Sequence, residues 1–117
     1  MPRGAIPEAI RRIKAISTKY GLPIVIFGHA GDGNLHPNIL FDKRDLEQWA
    51  KVELMVAEEF AVALELGGTL SGEHGVGALK RPFMGQAQGP VAIEIQKRIK
   101  AALDPVNILN PGKIFPN

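Results

Sequence analysis

The chain holds three histidines among 117 residues, and each stands in or beside a glycine-rich stretch. Two belong to Gly28-His29-Ala30-Gly31-Asp32-Gly33-Asn34-Leu35-His36, and the third to Ser71-Gly72-Glu73-His74-Gly75-Val76-Gly77. Neutral imidazole is a common ligand for divalent first-row metals. Two imidazoles and one carboxylate make a site that keeps coordination positions open for substrate. Glu73 is the carboxylate that would complete such a set with His29 and His36. His74 beside it is a natural general base, because an imidazole changes charge near neutral pH. The flanking glycines let backbone and substrate approach closely. The competing reading makes His29 and His36 ordinary turn-proximal residues with hydrogen bonds of their own, and Glu73-His74 a solvated loop pair.

The elements that must position these residues follow from the hydrophobic pattern. Residues 6–20 read as a helix: Ile6, Ile10, Ile13 and Ile16 or Tyr20 recur at helical spacing, opposite Arg11, Arg12, Lys14 and Lys19. Pro7 suits its first turn, and Gly21 with Pro23 ends it. Ile24-Val25-Ile26-Phe27 reads as a buried strand, and Asn38-Ile39-Leu40-Phe41 as its partner. A second helix is expected over 45–66, rich in Leu, Met, Val and Ala, buried on more than one face with Trp49 in the core. Its polar stripe is Glu47, Lys51, Glu58 and Glu65. Residues 68–89 read mainly as loop, with a short strand near Thr69-Leu70. A last helix runs over 90–103 with Val91, Ile95, Ile99 and Ala102 on one face, and the tail from Asp104-Pro105 onward is too rich in Pro, Gly and Asn for regular structure.

Residues 24–41 thus form a β-hairpin, and Asp32-Gly33 predicts a two-residue type I′ turn. Counting outward from it sets His29 opposite His36, with Cβ atoms about 4.5–5.5 Å apart on one face. Alternation puts Asn38 on that face too. A slip of one residue would break the opposition, although a longer loop through 30–35 still permits the rings to meet.

Composition bounds the rest. A hydrophobic content of 45% with 22% charged residues fits one soluble globular domain. A net charge of +2 without a basic run gives nucleic-acid binding no support. No cysteine is present, which excludes a disulfide framework and a thiolate zinc site. No apolar stretch approaches a membrane span, and the start has no signal-peptide core, so a cytoplasmic chain is expected. Gly28-x-x-Gly31-x-Gly33 lacks the Lys-Ser/Thr of a phosphate loop and leads into a hairpin rather than a helix. Lys80-Arg81 reads as a solvated pair rather than a clamp for a substrate carboxylate.

Taken together, GHAGDGNLHPN (28–38), SGEHGVG (71–77) and LDPVNILNPGKIF (103–115) resemble the C-terminal region of FAD-linked oxidases of the vanillyl-alcohol-oxidase superfamily. The nearest branches are the glycolate oxidase D subunit and the D-lactate and D-2-hydroxyglutarate dehydrogenases. The resemblance runs nearly end to end. It implies an α+β fold, an antiparallel sheet with helices packed on one face, as part of a ferredoxin-like cap domain. Residues 1–103 would belong to the cap and 104–117 to a tail returning to an FAD-binding domain outside this chain. It implies a divalent metal, zinc in many relatives, on His29, His36 and Glu73; substrate contact by Asn38 and His74; His74 as base; and Asn110 near the FAD. The expected substrate is a 2-hydroxy acid of glycolate or D-lactate type. The expected partners are the FAD-binding domain, further oxidase subunits and other copies of the chain, with a peripheral association at the inner membrane through an electron acceptor. The isolated chain is expected to be inactive. A different class, a stand-alone divalent-metal hydrolase or Fe(II) oxygenase, would use the same three ligands without flavin. A non-catalytic assembly module would ignore metal altogether.

Overall fold

A computed structural model describes residues 1–116; Asn117, the end of the expected tail, lies outside the described residues. The chain divides into two compact units, Met1–Gly72 and Glu73–Asn117.

In the first unit a short 3-10 turn, Arg3–Ala5, leads into helix α1, Ile6–Tyr20, with the bounds the sequence predicts. Gly21 closes α1 in the left-handed conformation and donates its N–H to the Ser17 carbonyl at 2.9 Å. Strands β1, Ile24–His29, and β2, Asn34–Ile39, pair antiparallel. Helix α2, Leu46–Glu65, starts at Asp45, whose carboxylate accepts the N–H groups of Glu47 and Gln48. The core is Ile16, Leu22, Met55 and Val62, and the inward residues Ile24 and Ile39 of the hairpin pack against it. The sheet therefore has helices on one face, as expected, and its other face is left open. Lys19 and Tyr20 both donate to the Glu58 carboxylate, tying α1 to α2 at their rims.

Three expectations are corrected in this unit. The connection between the strands is not a two-residue turn but a 3-10 turn, Ala30–Asp32, closed by Gly33. A type I′ turn needs both central residues at positive φ, and only Gly33 adopts it. Helix α2 buries a single face, Met55, Glu59 and Val62, while Trp49 is 43% exposed and lies with its ring 5.5 Å from that of Phe41. Thr69-Leu70 forms no strand.

The second unit opens on Glu73 and His74. Within the stretch read as loop, a 3-10 turn at Arg81–Phe83 runs into helix α3, Met84–Ala87; Pro82 presets the backbone of its first turn. Helix α4, Pro90–Leu103, has the predicted bounds. It buries none of its residues, and Val91, Ile95, Ile99 and Leu103 are all exposed. Among the described residues, no helix is long and apolar enough to cross a membrane.

Candidate metal centre

The hairpin register decides how the first two candidate ligands meet. His29 stands opposite Asn34, and His36 opposite Phe27, so the histidines are diagonal neighbours rather than a facing pair. The longer turn shifts the expected register by two residues. Because side chains alternate with period two, a shift of two leaves every side chain on its own face. The ring centroids of His29 and His36 lie 5.5 Å apart, edge to face at 86°. Two imidazoles on one tetrahedral zinc, with bonds of about 2.0–2.1 Å, place their centroids roughly 5 Å apart. The hairpin rings come within that range with ordinary side-chain motion.

The same face carries more than the sequence reading recognised. Val25, Phe27 and His29 alternate along β1, and Asn34, His36 and Asn38 along β2. Phe27, expected in a buried strand, is 60% exposed and stacks on His36 with centroids 5.6 Å apart and planes 25° apart. Val25, opposite Asn38, is 47% exposed. Counting by twos from His29 assigns both to this face, but only the structure shows that the face is exposed. Asn38 lies on the face, as expected, and its Nδ2 donates to the His36 carbonyl at 3.0 Å.

At the turn end of this face the chain returns at Gly72. A β-carbon on Gly72 would sit 2.4 Å from Asn34 Oδ1, so only glycine lets the backbone pass there. Glu73 is the next residue, one peptide bond of about 3.8 Å between Cα atoms further on. In the second unit, His74 Nε2 and Glu73 Oε1 are 3.4 Å apart, and both side chains are substantially exposed.

The tail that carries Asn110 is built around Asp104, a residue read from the sequence only as a helix stop. Asp104 is 6% exposed; its carboxylate accepts the N–H groups of Ile108 and Leu109, each at 3.0 Å, and the Lys100 ammonium. These donors, Lys100 first, hold its carboxyl below the usual carboxylate range. The Lys100–Asp104 spacing of four residues, with Asp104 directly after the last helical residue, was the available signal. Asn110 lies at φ +49° and borders an open groove of about 380 Å³, with Lys100, Lys113 and Phe115 also on its walls. The tail is also tied to the loop before α3: the Ile114 N–H donates to the Gly77 carbonyl and Arg81 Nη1 to the Gly112 carbonyl, both at 2.8 Å. Arg81 thus holds the tail through an exposed hydrogen bond, and Lys80 is half-buried with its pKa lowered by desolvation.

Residues 1–114 match the family described as FAD linked oxidases, C-terminal domain. The chain belongs to that family. The FAD-linked oxidase C-terminal domain is also seen in its similarity to single proteins. It is 48% identical over 115 residues to glycolate oxidase subunit GlcD of Bacillus subtilis, covering 98% of this chain and 24% of that protein. Against the probable mitochondrial D-lactate dehydrogenase of Danio rerio the identity is 39% over 115 residues, 98% of this chain and 23% of the relative. A D-2-hydroxyglutarate dehydrogenase of Stutzerimonas stutzeri is 40% identical over 116 residues, 96% of this chain and 25% of the relative. The chain therefore spans about a quarter of the length of the curated relatives it matches.

Proposed function

We propose that this chain is the metal- and substrate-binding part of an FAD-linked dehydrogenase acting on 2-hydroxy acids of glycolate or D-lactate type. The observation that carries the reading is the edge-to-face pair His29–His36 on the open face of the hairpin. Glu73 is the third donor: it follows Gly72, whose backbone lies against Asn34 at the same end of that face. His29, His36 and Glu73 each offer one ligand atom of a kind that suits zinc.

A divalent cation held by His29, His36 and Glu73 would supply Lewis acidity toward a substrate hydroxyl, lowering its pKa. FAD, bound mainly by the part of the protein outside this chain, supplies the acceptor for the hydride from C2. The chain's own residues do the rest. Asn38 directs its amide at the substrate carboxylate from the site face. His74 takes the hydroxyl proton, so that loss of H⁺ to the imidazole and of hydride from C2 leaves a 2-oxo acid. Asn110, on its Asp104-anchored loop, would lie against the flavin. The binding partners in this reading are the substrate and the FAD-binding domain, in a cytoplasmic protein.

Calorimetric titration of the metal-free chain with zinc tests this. One equivalent is expected to bind, and His29→Ala should weaken it at least tenfold, by about 1.4 kcal/mol or more. Native-state binding at a hundredfold excess over Kd should also stabilise the fold by about 2.7 kcal/mol in a thermal melt. A melt indifferent to zinc and to chelator would contradict the proposal.

A further inference from the structure

The site face is polar at its turn end and, along β1, apolar beyond it, where Phe27 and Val25 follow His29; this gradient bears on which hydroxy acid fits. We infer that Phe27, with Val25, forms an apolar shelf that selects 2-hydroxy acids bearing a hydrocarbon side chain of several carbons over those bearing a second carboxylate. The inference rests on the metal-centre reading above.

Phe27 stands directly across the ladder from His36 and stacks on it at 5.6 Å. One ring face is spent on His36, yet the residue remains 60% exposed, so the rest of the ring is open beside a candidate ligand. Val25 extends the same surface one step further, 47% exposed and opposite Asn38. A 2-hydroxy acid has its hydroxyl and carboxylate on adjacent carbons, and its side chain leaves from the same C2. With the chelating pair at His29 and His36 and the carboxylate reached by Asn38, the side chain lies over Phe27 and Val25. Each methylene laid there leaves water for an aromatic and aliphatic surface. A second carboxylate would meet the opposite circumstance. Neither strand, IVIFGH or NLHPNI, contains a lysine or arginine, so the shelf offers no counter-charge for a carboxylate that must shed its water.

The test is an NMR titration of the zinc-loaded chain with glycolate, D-lactate, D-2-hydroxybutyrate, D-2-hydroxy-4-methylpentanoate and D-2-hydroxyglutarate. The Kd is expected to fall by up to about fourfold per added methylene, with the glutarate weaker than the branched acid. Phe27→Ala should flatten that series, and Phe27→Leu, which restores an apolar shelf, should keep most of it with zinc affinity changed by no more than a few-fold. A flat series in the unmodified chain, tighter binding of the glutarate, an unaltered series in Phe27→Ala, or no binding of any acid to a chain that does bind zinc would overturn the inference while leaving the metal centre standing. Failure to bind zinc would overturn both.

Discussion

At the scale of single residues, the candidate centre depends on glycines as much as on ligands. Gly28 precedes His29 at φ +154°, and a β-carbon there would come 2.2 Å from the Asn34 carbonyl oxygen. That oxygen belongs to the residue paired with His29, so any side chain at 28 displaces the ladder where the two imidazoles converge. Gly28→Ala is expected to cost about 1–3 kcal/mol in urea denaturation and to weaken zinc binding at least tenfold. Unchanged zinc affinity in that variant would show that the register does not set the ring pair. The ligand types were legible from the sequence because imidazole and carboxylate chemistry is local to a residue. Phe27 was not, because its strand read as buried and only the open second face of the hairpin exposes it beside His36.

At the scale of elements, helices α1 and α4 were predicted to the residue, since Pro at the start and Gly or Asp-Pro at the end punctuate them. The hairpin was found but its turn was not. Asp-Gly indicates a tight turn only when both residues take positive φ, and the structure gives that conformation to Gly33 alone. Helix α2 hides a charge that the polar stripe did not include. Glu59 is 8% exposed, one turn from Met55 and three residues from Val62, with Oε1 lacking a partner among the described residues. Burial pushes its pKa up to about 7 from 4.5. The sign follows from proton counting. Between these two values the unfolded chain releases the proton and the fold retains it, so Glu59 subtracts stability as pH rises and the loss is complete above pH about 7, at up to about 3 kcal/mol. Glu59→Gln should therefore melt like the parent near pH 4.5 and be more stable by about 2–3 kcal/mol at pH 8, read from urea midpoints at both pH values. Equal destabilisation at both pH values would mean that the carboxylate has a partner in the fold.

At the scale of the whole molecule, the chain spans about a quarter of the length of the FAD-linked relatives it matches. The purified, zinc-loaded chain should accordingly be colourless and should not reduce a redox dye with glycolate or D-lactate; turnover would favour a flavin-free metalloenzyme. The open apolar face of α4 was legible as a stripe, but its exposure was not, because periodicity reports which residues share a face and not what covers them. The claim on which all of this turns is that two hairpin imidazoles and one carboxylate hold a single divalent ion. X-ray absorption at the zinc edge of the loaded chain tests it most directly. Two histidine nitrogens and carboxylate oxygen at about 2.0–2.2 Å, with the oxygen contribution reduced in Glu73→Ala, is the predicted result. A shell with fewer than two imidazoles, or one that Glu73→Ala leaves unaltered, would contradict it.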